Sequence, residues 1–405
     1  MPPRLSAHPA RLSVLLAAIL VLAALWVLLP PAAPWMLYPA VGIPELSVYV
    51  LAIAVLIETA VARHLRVSRA ARLALVLSSA SAALAIVPLA QAGFAVPRLE
   101  QAMRDAFGAA VMDDARRPGA AEMRQRPIVA ADLFRGIDAG EERVTRGIEF
   151  ASPEGVPLHL DVHTPVAPGT YPAIVQIYGG SWQRGQPGDN SSFSRYFAAR
   201  GYIVFAIDYR HAPRWRWPAQ IDDVRTALAW IRGHGAEYGA DVSRIALVGR
   251  SAGAHLALLA AYMPGGPPVS GVVSYYGPTD LAAGYHEPPS PDPIDIRRVL
   301  EAFLGDTPDR APDVYRDASP VTYATHPQPP TLLLYGGRDH IVLPRFGASL
   351  RDRLRATGTP AALLLLPWAE HAFDAVPFGP GAQLALYHTE RFLGWALRSA
   401  DQRGP

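Results

Sequence analysis

Between Arg244 and Tyr262 the chain reads Arg-Ile-Ala-Leu-Val-Gly-Arg-Ser-Ala-Gly-Ala-His-Leu-Ala-Leu-Leu-Ala-Ala-Tyr, and no other stretch restricts its fold as much. The apolar run Ile245 to Val248 predicts a buried strand and the Ala/Leu-rich run after Gly253 a helix, with Gly249-Arg250-Ser251-Ala252-Gly253 compressed between them. A turn that sharp leaves no room for side chains two residues either side of its centre, hence glycine at both places. Ser251 is thereby presented at a helix N-terminus, where the dipole and the Ala252 N–H favour negative charge. The same pentapeptide also serves as a plain strand-to-helix turn, so its chemical meaning depends on what else the chain supplies.

The N-terminal part has a different character. No residue between Arg11 and Glu45 is charged, and residues 12–29 are almost wholly aliphatic, long enough at ~1.5 Å per residue to cross most of a ~30 Å hydrocarbon core. A second apolar run, 46–62, carries Glu58, which is costly in lipid unless it faces a neighbouring helix or reaches the interface near Arg63. A third, 73–96, is free of charge and rich in Ala and Ser, which let membrane helices approach closely. These readings predict an all-α transmembrane region over residues 1–96 with three spans. Arg4 and Arg11 precede the first span, and Arg63, Arg66, Arg69 and Arg72 lie between the second and third. Arginine-rich short loops stay cytoplasmic, so the N-terminus is expected inside and everything beyond Val96 outside, most simply at the plasma membrane. If the second run does not insert, the side reverses. A cleaved secretory signal in place of the first span leaves the outward topology unchanged.

Residues 97–143 follow as a juxtamembrane segment. Leu99, Met103, Phe107 and Val111 recur at spacings of four, an amphipathic pattern that suits a helix lying along the membrane or packed over the domain behind it. Asp113 to Arg126, charged and containing Pro118-Gly119, reads as a linker.

From Val144 to the end, residues 144–405, short strands alternate with helices, the pattern of an α/β domain with a mostly parallel sheet covered on both faces. Strands are expected at 144–150, 158–163, 173–178, 203–208, 245–248, 271–276, 331–335 and 362–366, the first two as an antiparallel pair. Eight strands with the serine turn after the fifth is the arrangement of the α/β-hydrolase fold.

In that arrangement a base and an orienting acid belong at strand C-terminal ends in the order Ser, Asp/Glu, His. Gly337-Arg338-Asp339-His340 after the seventh strand presents Asp339, and Trp368-Ala369-Glu370-His371 after the eighth presents His371. An Asp in a loop is ordinarily a turn former and a lone His ordinarily packed or solvated, but each falls one strand end further along. His255, His326 and His340 are rival bases. The loop after the third strand, Tyr178-Gly179-Gly180-Ser181-Trp182, offers backbone N–H groups; Gly180, Ser181 and Ala252 are the expected oxyanion donors. Trp182, Trp215, Trp217 and Phe373 are candidates for an apolar pocket, with Trp182 and Phe373 assigned to substrate. The irregular stretch from Tyr285 to Ile296 is placed where it could form a lid together with Arg98 to Met112.

A net charge of +2 gives no electrostatic reason for a nucleic-acid partner. There is neither lysine nor cysteine, all 37 basic residues being arginine, which removes Ser-Lys dyads, Walker phosphate loops, cysteine nucleophiles and cysteine-zinc sites.

Over about residues 144–397 the chain resembles the esterase branch of the α/β-hydrolases that includes hormone-sensitive-lipase-like esterases, kynurenine formamidases and isoprenylcysteine methylesterases. The resemblance rests on Leu160-Asp161-Val162, Tyr178 to Trp182, Asp208-Tyr209-Arg210 with Ala212-Pro213, Gly249 to Leu256, Asp339 with Val342, and His371 with Phe373. It implies a serine hydrolase acting on small-molecule or lipid carboxylic esters, with no metal or organic cofactor. An acyltransferase, an arylformamidase-type amidase and a catalytically silent binding module remain open on the same residues. In that branch, charged residues such as Asp208, Arg210, Asp222 and Asp223 pin loops around the site. The chain departs from the pattern at Tyr178, where relatives usually carry His, at Ala254 and Ala372 in place of glycine, and at Arg250, where many relatives are acidic; Arg250 either steers anionic substrates or is solvated or salt-bridged.

Overall fold

The computed structural model of the chain describes residues 8–113 and 123–398; Arg4 and residues 114–122 of the expected linker lie outside them. Four helices come first, α1 (His8–Ala24), α2 (Leu37–Glu45), α3 (Ser47–Val61) and α4 (Arg69–Phe107). Where α1, α3 and α4 meet, the buried residues are largely small: Ala17, Ala24, Ala54, Ala71, Ala74 and Ala85. Large side chains such as Leu15, Leu22, Leu56 and Val76 point outwards instead. Ser47–His64 and Arg69–Phe107 are long and apolar enough to cross a membrane by length and composition, and Arg11–Val27 is a shorter apolar helix.

The rest is built on one sheet. Its strands are β1 (Arg143–Ala151), β2 (Leu158–Thr164), β3 (Tyr171–Ile177), β4 (Ile203–Ile207), β5 (Ala240–Arg250), β6 (Gly271–Tyr275), β7 (Thr331–Gly336) and β8 (Ala361–Leu366), lying side by side in the order β1-β2-β4-β3-β5-β6-β7-β8. β2 is antiparallel to both β1 and β4, and every other pair is parallel. Every residue of β4, β6 and β7 is buried, which is why these strands read as unbroken apolar runs instead of alternating ones. Around the sheet run α5 (Ala110–Asp113), α6 (Asp132–Arg135), α7 (Ser191–Ala198), α8 (Ala219–His234), α9 (Ala252–Tyr262), α10 (Leu281–His286), α11 (Ile296–Leu304), α12 (Pro312–Asp317), α13 (Pro344–Ala356) and α14 (Pro380–Ala396).

The helix expected to end at Val96 does not end there. α4 continues through Pro97 to Phe107 as one element of 39 residues. A proline inside a helix costs about 3 kcal/mol. Burying Leu99, Met103 and Phe107 returns roughly 1.5–3 kcal/mol each, so packing prevails. That face lies on β8 and α14, with the Phe107 ring 5.0 Å from Phe392 and 5.1 Å from Trp395. The amphipathic segment therefore covers the edge of the sheet and is not part of a lid.

The strand order doubles back at β4-β3-β5, and ligand sites of open α/β sheets gather at the carboxyl ends beside such a reversal. Ile177, the last residue of β3, pairs with Gly249 of β5. This register sets the loop after β3 next to the serine turn.

Candidate active site

Ser251 has φ 51° and ψ −120°, a left-handed conformation at the junction of β5 and α9. Such backbone is disfavoured for a residue with a side chain and persists where its surroundings dictate it. They do so here: a Cβ on Gly249 would fall 2.3 Å from the carbonyl oxygen of Gly253, and one on Gly253 would fall 2.2 Å from that of Ile177. Any larger residue at either place would force strand and helix apart.

His371 and Asp339 come to the same rim from the ends of β8 and β7. The Ser251 Oγ lies 3.0 Å from His371 Nε2, and His371 Nδ1 lies 2.8 Å from Asp339 Oδ2. The other oxygen of Asp339 accepts the amide N–H groups of Ile341 and Val342 at 2.8 and 2.7 Å, fixing the carboxylate plane. The three expected residues are thus brought together in hydrogen-bonding sequence.

The rival histidines are committed elsewhere. His255 Nε2 lies 2.7 Å from the Ala318 carbonyl and its Nδ1 accepts from Trp182 Nε1 at 3.1 Å. This pair of bonds requires the neutral ring, and burial lowers its pKa to about 4. His340 pairs with Glu370 at 2.6 Å, which raises its pKa, and His326 is exposed beside Pro327.

The loop after β3 folds over the serine turn. Ser181 and Trp182 have φ of 57° and 59°, so this loop too is held in a left-handed path. Tyr178 anchors it: its hydroxyl donates to Asp208 and lies 2.9 Å from His211 Nε2, while its ring stacks on Tyr209 at 4.5 Å. Burial raises the pKa of both Tyr178 and Asp208. Arg210 grips Asp223 through two nitrogens and also meets Glu154 at 2.6 Å. Asp208, Arg210 and Asp223 therefore hold loops together, as the resemblance implies.

Ser181, Trp182 and Ser251 form one wall of an open cavity. The facing wall is apolar and comes from the stretch after β6, including Leu281, Ile294, Val299 and Leu300. The insertion expected around 285–296 thus roofs the cavity without the Arg98 segment. Trp182 lines the cavity and stacks on Phe303 at 4.3 Å. Phe373, the other residue assigned to substrate, is fully buried against Tyr276 and does not line it. Its ring turns inward, toward Tyr275 and Tyr276.

Asp374, Tyr276 and Glu370 supply contacts here that were not anticipated. Arg250 is buried and ion-paired with Asp374 at 2.6 Å, which settles it as a salt-bridged residue. Tyr276, whose ring lies 4.5 Å from that of His371, donates its hydroxyl to the same Asp374. Glu370 accepts the amide N–H of His340 and of His371, tying the two loops together. The sequence signal for Asp374 was its closeness to His371 together with an unusual arginine beside the serine.

Residues 160–354 match the BD-FAE family. The probable carboxylic ester hydrolase LipM of Mycobacterium tuberculosis is 36% identical over 242 residues, 56% of this chain and 54% of that one. The esterase LipC of the same organism is 36% identical over 218 residues, 50% and 53% of the two chains. The chain thus spans about half the length of the curated relatives it matches. Among solved structures, the propionate-bound esterase Est2 of Thermogutta terrifontis has the same fold, with a TM-score of 0.51 and 23% identity over 64% of this chain and 96% of that one. Sheet order, serine turn and these comparisons agree: the chain has the α/β-hydrolase fold, and over the matched part it is similar to these esterases.

Proposed function

We propose that the chain is a membrane-tethered serine hydrolase that cleaves carboxylic esters through an acyl-enzyme intermediate. The observation that carries this reading is the continuous chain of contacts from Ser251 Oγ through His371 to Asp339 at the edge of an apolar cavity. Ser251 Oγ attacks the ester carbonyl while its proton passes to His371 Nε2. Asp339 accepts the hydrogen bond from Nδ1–H, holding the tautomer and stabilising the imidazolium. The amides of Gly180, Ser181 and Ala252 receive the oxyanion, and the N-terminus of α9 adds its dipole. His371 returns the proton to the leaving alcohol, then accepts one from the water that attacks the acyl-serine, which releases the acid and restores Ser251.

The apolar segments 12–29, 46–62 and 73–96, carried by α1, α3 and α4, serve as the tether. The arginines from Arg63 to Arg72 stay on the cytoplasmic side, so the catalytic domain lies outside the membrane that holds it. A site beside a bilayer and a pocket lined by aliphatic residues suit esters with an apolar acyl group, either dissolved or presented by lipid.

The test is hydrolysis of p-nitrophenyl acyl esters by the full chain in detergent micelles, with Ser251→Ala as control. Turnover in the wild type, abolished by the substitution, supports the reading. Wild-type turnover no higher than that of Ser251→Ala refutes it.

A further inference from the structure

Glu45 ends α2, the short helix between the first two apolar helices, yet it is only 2% exposed. Its surroundings belong to the hydrolase domain. One carboxyl oxygen accepts from Trp368 Nε1 at 2.9 Å, and the other accepts the amide N–H of Gly381 at 2.7 Å. An acid buried without partners costs several kcal/mol. Here two N–H donors meet it, one of them in the first turn of α14, where helix amides lack internal acceptors and the dipole is positive.

The receiving surface is shaped for this side chain. A Cβ on Gly379 or on Gly381 would fall 2.5 Å from an oxygen of Glu45. The chain keeps glycine on both sides of Pro380, where the acid enters. Trp368 stands three residues before His371, and Gly381 stands ten after it. Both ends of the loop carrying His371 therefore terminate on one side chain supplied by the helical region. A second tie runs in parallel: Arg338, the residue before Asp339, donates to the carbonyl of Leu28 at the end of the first apolar helix, at 2.8 Å.

We infer that Glu45 is a positioning residue for His371, clamping the two ends of its loop so that Nε2 stays within reach of Ser251, and that the helical region is in this sense part of the catalytic unit. The inference rests on the catalytic reading of Ser251 and His371. Opening the clamp lets the ring drift, and a displacement of about 1 Å at a reacting group can lower its rate by as much as 100-fold. Substrate binding, made mostly by the cavity on the other side of Ser251, is left nearly intact.

The experiment compares wild type, Glu45→Gln, Trp368→Phe and the double variant as full chains in detergent micelles, with active sites counted by exhaustive fluorophosphonate labelling. Glu45→Gln keeps one acceptor but turns an NH2 group toward the Gly381 N–H. The expected result is a fall in kcat per labelled site of about 10-fold or more for Glu45→Gln, with KM for a short-chain ester changed less than about 2-fold. The rate of fluorophosphonate labelling should fall with kcat, and the double variant should lose less than the product of the two single effects. Glu45→Gln with wild-type kcat per labelled site overturns the inference, as does a change confined to KM or to the yield of folded protein. If Glu45→Gln does not fold, Trp368→Phe decides on the same readouts. Failure of the catalytic reading itself looks different, because the wild type would then neither label nor turn over.

Discussion

Arg250, the residue before Ser251, forms an ion pair with Asp374, the third residue after His371, at 2.6 Å. The nucleophile turn and the base loop are therefore joined directly, and the join is buried. Both side chains are nearly inaccessible, so the pair differs from the solvent-screened bridges of the surface, which contribute little. Removing one partner strands the other charge with little access to water. Arg250→Leu should lower stability by roughly 3–5 kcal/mol. Asp374→Asn, which keeps the shape and an acceptor for Tyr276, should cost less. Thermal unfolding of the two variants in the same detergent checks the order.

Ala372 follows His371 and has φ 57° and ψ 34°, the left-handed region that favours glycine. A non-glycine residue there costs roughly 1–2 kcal/mol, partly offset by the greater freedom of glycine in the unfolded chain. Ala372→Gly is therefore expected to stabilise the protein by up to about 1 kcal/mol. Calorimetry in detergent should show a midpoint above that of the wild type.

These two positions mark what a reader of the sequence could and could not see. The eight strands were legible because strands buried on both faces leave continuous runs such as Leu332-Leu333-Leu334. Ser251, Asp339 and His371 were legible because each stands at the end of such a run. The early half of β5, Ala240 to Arg244, was not, because Asp241, Ser243 and Arg244 give it the composition of a loop. The length of α4 was hidden by Pro97 and by the change from uniformly apolar to one-sided patterning at Arg98. Partners far apart in sequence were out of reach: nothing near Glu45 points to Trp368, 323 residues on. The inward turn of Phe373 depends on loop geometry that composition does not encode.

His255 offers a pH test. Its pKa is about 4 in the fold against an ordinary 6.5, because burial disfavours the charged ring. Between those values the unfolded chain takes up a proton that the folded chain refuses. The contribution to stability is thus complete above about pH 6.5 and is lost as pH falls toward 4. The slope approaches about 1.4 kcal/mol per pH unit for one group. Relative to His255→Gln, the wild type should lose roughly 3 kcal/mol across that interval, read from unfolding midpoints at half-unit steps. His388, also buried and lowered to about 4, moves the same way in both proteins and cancels in the difference.

Gly284 lines the cavity, and a Cβ placed there would meet nothing within 4 Å. Gly284→Phe should fill part of the space opposite Ser251 without disturbing α10. Acetyl esters should still turn over at near the wild-type kcat/KM, while octanoyl esters should fall by about 10-fold or more, a loss of the size expected when a few methylene groups lose their pocket. The ratio of the two substrates in one assay is the measurement.

The central claim is that the hydroxyl of Ser251, activated by His371, is the nucleophile. It is tested most directly by treating the full chain in detergent with a fluorophosphonate and locating the adduct by peptide mass spectrometry. The predicted result is one adduct, on Ser251, formed rapidly in the wild type, absent in Ser251→Ala and slowed at least about 100-fold in His371→Ala. An unlabelled wild type, or an adduct that persists on another residue in Ser251→Ala, would contradict it.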